Sequence, residues 1–227
     1  SQNIYISNMN SIDGWYGRKN HLAEFPVEGN TQFELKDKKT GKVIYRNSLS
    51  TLFQEWQTYP EAKTSNRSFE NVILMPMPKD TATLTISLIS NRRQIAGSIT
   101  ETISPTDILI RKTGEEPAPY EVLNKAANQE KCIHIAFLAE GYTDKEMDKF
   151  INDARIATDA IFAHEPFKKY QDRFQVIAVK SASEDSGTSV PSKGIWKKTA
   201  LGSNFDTFYS ERYLTTLNLN RVHDCLA

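Results

Sequence analysis

Cysteine is scarce in this chain. Only Cys132 and Cys225 occur in 227 residues, too few for a disulfide framework and without the close spacing of metal ligands. Two buried free thiols are expected, with a single Cys132–Cys225 bridge in an oxidising compartment as the alternative. Net charge is missing too. The 28 basic residues are balanced by 28 acidic ones, and no Lys/Arg cluster is interleaved with aromatic residues, so no field draws a phosphate backbone and nucleic acid is not expected as a partner. No apolar run reaches the roughly 18 residues of a membrane span, and no export signal stands among these residues. What is there is ordinary globular composition, 39% hydrophobic and 25% charged, in a length that suits two domains.

Residues 1–112 read as strands joined by turns, with no long amphipathic helix. Phe33 and Leu35, a loop ending in Gly41, then Val43, Ile44 and Tyr45 predict a hairpin. Leu52, Phe53 and Trp56 stand at helical spacing, and Phe69 with the run 72–75, closed by Pro76 and Pro78, predicts a further strand. Leu84, Ile86 and Leu88 alternate with Thr83, Thr85 and Ser87, as in a sheet with one face on a core and one in water. The expectation is an all-β sandwich over 1–112. A linker rich in Gly, Glu and Pro follows at 113–130.

Beyond it, over 131–227, the hydrophobic period changes. Ile133, His134, Ile135, Ala136, Phe137 and Leu138 predict a strand buried on both faces. Thr143, with Glu146 three residues on, predicts a capped helix. That helix carries Met147, Phe150, Ile151, Ala154, Ala157 and Ile161 on one stripe and ends before Pro166. A second buried strand at 174–179 completes a parallel strand–helix–strand unit. Helical signals recur at Phe205, Phe208 and Tyr209, and again at Val222 and Leu226. The part from 199 onward is expected to be the least protected unless another chain or a further segment covers it.

The turn Ala139-Glu140-Gly141-Tyr142-Thr143, the helix end Phe162-Ala163-His164-Glu165-Pro166-Phe167 and the run Thr199-Ala200-Leu201-Gly202-Ser203-Asn204-Phe205-Asp206 together resemble the bacterial immunoglobulin A metallopeptidase family. The resemblance implies a secreted or cell-envelope zinc endopeptidase, its export signal removed, in which an N-terminal β-domain precedes an α/β peptidase domain. The fold class expected is therefore two-domain, an all-β sandwich followed by a partial α/β metallopeptidase domain. The family's zinc site is a helical H-E-x-x-H, whose two His share one face while the Glu activates a metal-bound water. Here His164-Glu165 is followed by Pro166, and Lys168 stands where the second His would be. No catalytic residue and no zinc ligand is assigned within the chain. The motif is expected after Ala227, in a remainder of the peptidase domain that is itself an expected partner, beside a protein or peptide substrate.

Substrate-groove candidates are Glu140 and Tyr142 at the end of the first parallel strand, Asp185 and Ser186 after the second, and Trp196 in the loop beyond, because α/β sheets collect ligands at that edge. Each has a plain structural reading beside the functional one. Glu140-Gly141-Tyr142-Thr143 makes a tight turn and helix cap, and Trp196 packs its loop onto its own domain. The run 183–189 holds carboxylates and hydroxyls of the kind calcium prefers but lacks EF-hand spacing, so a solvated loop competes with a cation site. His134, inside a strand expected to be buried, reads as a hydrogen-bonded core histidine. The alternative function is a secreted binding or adhesion module without catalytic activity.

Overall fold

In the computed structural model, residues 2–114 and 118–226 are described. The chain divides into two compact units, Ser1–Glu115 and Glu116–Ala227. The molecule is mostly sheet, with few helices.

The first unit holds β1 (Met9–Ser11), β2 (Thr31–Asp37), β3 (Val43–Leu49), a one-turn helix α1 (Leu52–Trp56), β4 (Ala82–Ile89), β5 (Ile95–Ile103) and β6 (Ile110–Lys112). Four strands form an antiparallel sheet in the order β3-β2-β4-β5, while β1 and β6 pair in parallel. The β2–β3 hairpin closes as its sequence implies. Asp37 Oδ1 accepts from the amide and hydroxyl of Thr40, both at 2.6 Å, and Gly41 takes the left-handed φ of 71° that the return requires.

Register decides the core. Phe33 lies opposite Ile86, and Leu35 lies opposite Leu84 on one side and Tyr45 on the other. These residues, with Ala82 and Ile103, form the buried cluster. The opposite face is a hydroxyl ladder, with Thr85 and Thr100 oxygens 3.2 Å apart and Ser87 and Ser98 oxygens 3.1 Å apart.

Where the sequence suggested a second full sheet, the apolar face is covered by the β1–β6 pair and by irregular chain. Ile4, Ile6, Met9, Ile73, Met75 and Ile110 pack on it, and Trp15 meets Tyr45 edge-on at 5.4 Å. The run 72–75 is no strand. Pro76 and Pro78 remove ladder donors at its end, yet Ile73 and Met75 still turn inward. Phe69, expected on that strand, instead stacks with Phe53 and the buried Trp56 of α1, at 6.0 and 5.8 Å.

The second unit holds β7 (Tyr120–Asn124), β8 (Ile133–Leu138), α2 (Met147–Phe162), β9 (Phe174–Val179) and α3 (Leu219–Asp224). Its sheet order is β7-β9-β8. The strands β8 and β9 run parallel with α2 between them in sequence, and β7 is antiparallel to β9. β7 lies inside the segment 113–130 that the composition marked as linker. By taking the second side of β9 it makes β9 the central strand, with Phe174, Val176, Ala178 and Val179 buried. β8 is consequently an edge strand rather than one buried on both faces, and Ile133 is 57% exposed.

The helix α2 lays Phe150, Ile151 and Ala154 against Ala139 and Ala178, and sets Phe162 on Phe174 at 5.5 Å. It stops at Phe162, so His164 lies past its end. The expected helix around Phe205 to Tyr209 is a single tight turn, because Asp206, Phe208 and Tyr209 adopt φ of 62°, 50° and 66°. A left-handed backbone cannot propagate a right-handed helix.

These faces set a contrast between neighbours in β4. Ile86 is 6% exposed in the core, so Ile86→Asp buries an unpaired carboxylate and is expected to destabilise by more than about 3 kcal/mol. Thr85→Asp, on the hydroxyl ladder, is expected to cost under about 1 kcal/mol. Urea unfolding of the two variants checks both; equal tolerance would reverse the assigned faces.

Candidate functional site

The chain leaves β8 through Ala139-Glu140-Gly141-Tyr142-Thr143 and leaves β9 into the long loops of residues 180–216. Both exits lie at the carboxyl ends of parallel strands, the edge at which open α/β sheets hold ligands.

Glu140 organises this edge. Its Oε1 accepts from the Thr199 hydroxyl at 2.6 Å, the Ser203 amide at 2.9 Å and the Ser203 hydroxyl at 2.5 Å, and its Oε2 accepts from the Leu201 amide at 2.8 Å. Thr199, Leu201 and Ser203 are themselves buried. Burial alone would push the carboxyl up, but the donors from Ser203, Thr199 and Leu201 outweigh it and hold the group below the usual glutamate value. The segment from 199, expected to be loosely held, is thus anchored at its start by a charge.

One layer out, Ser183 Oγ accepts from the amides of Gly141 at 3.0 Å and Ala200 at 2.9 Å. The Gly141 carbonyl accepts from the Gly187 amide at 2.8 Å. Gly141 has φ 75°, and a Cβ there would stand 2.5 Å from the Gly187 carbonyl oxygen, so no side chain fits between the two turns.

Tyr142 points away from that contact. Its hydroxyl donates to Asp153 Oδ2 at 2.9 Å, an oxygen shared with Lys149 Nζ at 2.8 Å, and Lys149 also sits 4.9 Å over the ring. Burial, then the Asp153 carboxylate, raise the phenol above its ordinary range.

Thr143 caps the next helical turn, its amide and hydroxyl both 2.9 Å from Glu146 Oε2, while Glu146 Oε1 accepts from Ser186 Oγ at 2.8 Å. Asp185 Oδ2 accepts from the Lys198 amide at 2.8 Å. Glu140, Tyr142, Asp185 and Ser186 therefore all belong to the loops of one edge, and each is engaged in holding them.

Trp196 differs. Its loop is closed by the Val190–Ile195 pairing and by Ser189 Oγ bridging both backbone groups of Lys197, yet the indole is 72% exposed. It does not pack the loop onto its own unit.

Sequence reading found Glu140 but not its partners Thr199, Leu201 and Ser203. The available signal was a run of small and hydroxyl residues, Thr199-Ala200-Leu201-Gly202-Ser203, too polar for a core and too poor in charge for a solvated loop. His134, read as a core residue, is exposed on the edge strand.

Among the described residues no three His, Cys, Asp or Glu side chains converge, and His164 lies past a helix end with Lys168 four positions on. Residues 183–189 spend their carboxylates elsewhere, Asp185 on the Lys198 amide and Glu184 on Lys198 Nζ at 3.4 Å. Among the described residues no helix is long and apolar enough to cross a membrane.

Two family models match the chain, Peptidase M64 N-terminus over residues 1–100 and IgA Peptidase M64 over residues 122–226. The chain belongs to the IgA peptidase M64 family. Comparison with curated proteins gives no match. The M64 matches fall on the two units in turn, and the second contains both strand exits, the Glu140 network and Trp196. A peptidase-family domain thus carries the candidate edge, and a protein substrate is the partner class that membership implies.

Glu140→Ala should leave two buried hydroxyls and two amides without their acceptor, at a cost of about 2–3 kcal/mol. Because the folded carboxyl is held low, its contribution is fully present above the ordinary glutamate value of 4.5 and is lost as pH falls through the depressed folded value. Acid titration of stability should show a downward step in that window for the natural chain and a smaller step for Glu140→Ala; superimposable acid profiles would contradict the role given to Glu140. Gly141→Ala should destabilise by more than about 1 kcal/mol through the left-handed φ and the Gly187 contact, measured by thermal unfolding.

Proposed function

We propose that this chain is the N-terminal portion of a secreted zinc-dependent endopeptidase acting on a protein substrate. The observation that carries the reading is the IgA Peptidase M64 match over residues 122–226, on a unit that contains a parallel strand–helix–strand arrangement.

In this reading the zinc-holding residues belong to sequence beyond Ala227, as a helical H-E-x-x-H, since this chain's own donors do not fit the metal. A zinc ion held by those residues would supply Lewis-acid activation of water for peptide hydrolysis. What these residues do is build one wall of the substrate groove. Glu140 fixes the 199–203 segment against the end of β8, and Ser183 ties that segment to Gly141. Ser186 and Asp185 hold the loop after β9, and Tyr142 braces the start of α2. Trp196 stands exposed on the stiffened loop as an aromatic contact for the bound polypeptide. The outer edge of β8 carries no strand among the described residues. The β-rich first unit positions the catalytic domain or holds the substrate. The immunoglobulin A of the family description belongs to the family, and fold membership does not fix which protein this enzyme cuts.

Metal analysis with a cleavage assay tests the reading. After dialysis against chelator and re-addition of zinc, this chain should retain well under one equivalent and cleave nothing, whereas the same protein extended past Ala227 should retain one zinc and cleave a denatured protein substrate. Trp196→Ala in the extended enzyme should raise KM with little change in kcat. A tightly held zinc in the present chain, or an extended protein without peptidase activity, would overturn it.

A further inference from the structure

The residue before β8 begins, Cys132, has an extended backbone (φ −127°, ψ 167°). Side chains two apart on extended chain share a face, and His134 is accordingly its neighbour: Cys132 Sγ lies 3.4 Å from His134 Nε2. The thiol also lies 3.3 Å from the Gln129 carbonyl oxygen, so its hydrogen has two acceptors within reach, one of them a base. Cys132 is part-exposed and His134 exposed, and β8, which carries His134, has no further strand on its outer side among the described residues. The peptidase reading uses neither residue.

We propose that Cys132 and His134 form a thiol–imidazole pair that makes Cys132 a site of mixed-disulfide formation with small disulfides. In the tautomer that carries its hydrogen on Nδ1, Nε2 accepts the thiol proton. The Cys132 thiolate attacks one sulfur of the disulfide; a new S–S bond forms as the old one breaks, and the departing thiolate leaves with the electron pair and takes the proton back from the imidazolium. No outside oxidant enters, because the small disulfide is itself reduced to one thiol and one mixed disulfide. Cys225 provides a contrast within the same molecule. It is half-buried, and burial pushes its thiol up against the opposing hydrogen bond with Ser181.

The test is the rate of 5,5′-dithiobis(2-nitrobenzoate) reduction by the full chain, with Cys225→Ser and Cys132→Ser assigning the two thiols. Cys132 should react roughly tenfold or more faster than Cys225. The decisive variants are His134→Ala and His134→Gln in the Cys225→Ser background. Removing the ring opens access to the thiol, so exposure alone would make the alanine variant faster. A proton-accepting imidazole instead makes both variants slower, by roughly tenfold or more. Slowing in both, with unchanged circular dichroism, supports the pair. An unchanged or increased rate in either, or equal rates at Cys132 and Cys225, overturns it; His134→Gln keeps the size and polarity of the ring should the alanine variant misfold.

Discussion

The second unit depends on a half-buried negative charge solvated by backbone and hydroxyl groups. Glu140 has taken four protein donors where water would otherwise stand, and a charge transferred out of water is tolerable only when its acceptor capacity is met in this way. No salt bridge to Glu140 is found among the described residues. The donors all come from residues 199–203, so that segment has one low-energy place to lie. Ser183 and Gly141 then fit beneath it, and the 180s loop is drawn in through Gly187 and Ser186. A carboxylate that looks available for chemistry is thus fully occupied as a fastener, and the group it presents to solvent is the indole of Trp196.

The parts of the fold visible in the sequence were those in which one physical rule acts alone. Leu84 and Ile86 alternate with Thr83 and Thr85 because one sheet face is dry, and the stripe on α2 is apolar because one helix face is. Places where two rules compete read wrongly. The run 72–75 has the hydrophobicity of a strand, but Pro76 and Pro78 deny it a ladder. It is buried as irregular chain, a state that leaves no periodic trace. β8 has the composition of a central strand and is an edge, because centrality belongs to β9 and was decided by Tyr120–Asn124, a segment whose Pro and Glu neighbours disguised it.

The candidate edge was half visible for a related reason. Glu140 could be placed from a strand-to-helix turn, which is local. Its partners are about sixty positions away, and a hydroxyl or a backbone amide has no sequence signature for the carboxylate it will meet. The left-handed Asp206, Phe208 and Tyr209 were invisible in the same way, since their conformation is imposed by tertiary contacts, among them the Asp206 carboxylate on the Ser192 amide at 2.8 Å and Phe208 packed edge-on against Tyr213 at 5.9 Å. Their apolar spacing suggested a helix that this backbone forbids.

The separation between Glu140 and its donors, 59 to 63 positions, also sets an order of events during synthesis. A polypeptide emerging from the ribosome exposes the end of β8 well before Ser203 has been made, and for that interval Glu140 is an ordinary hydrated side chain on an unfinished turn. Closing a loop of that length carries most of its entropic penalty before any of the four bonds forms. The first compact unit, which ends at Glu115, is complete in sequence by then, whereas the second still lacks every donor that Glu140 will use.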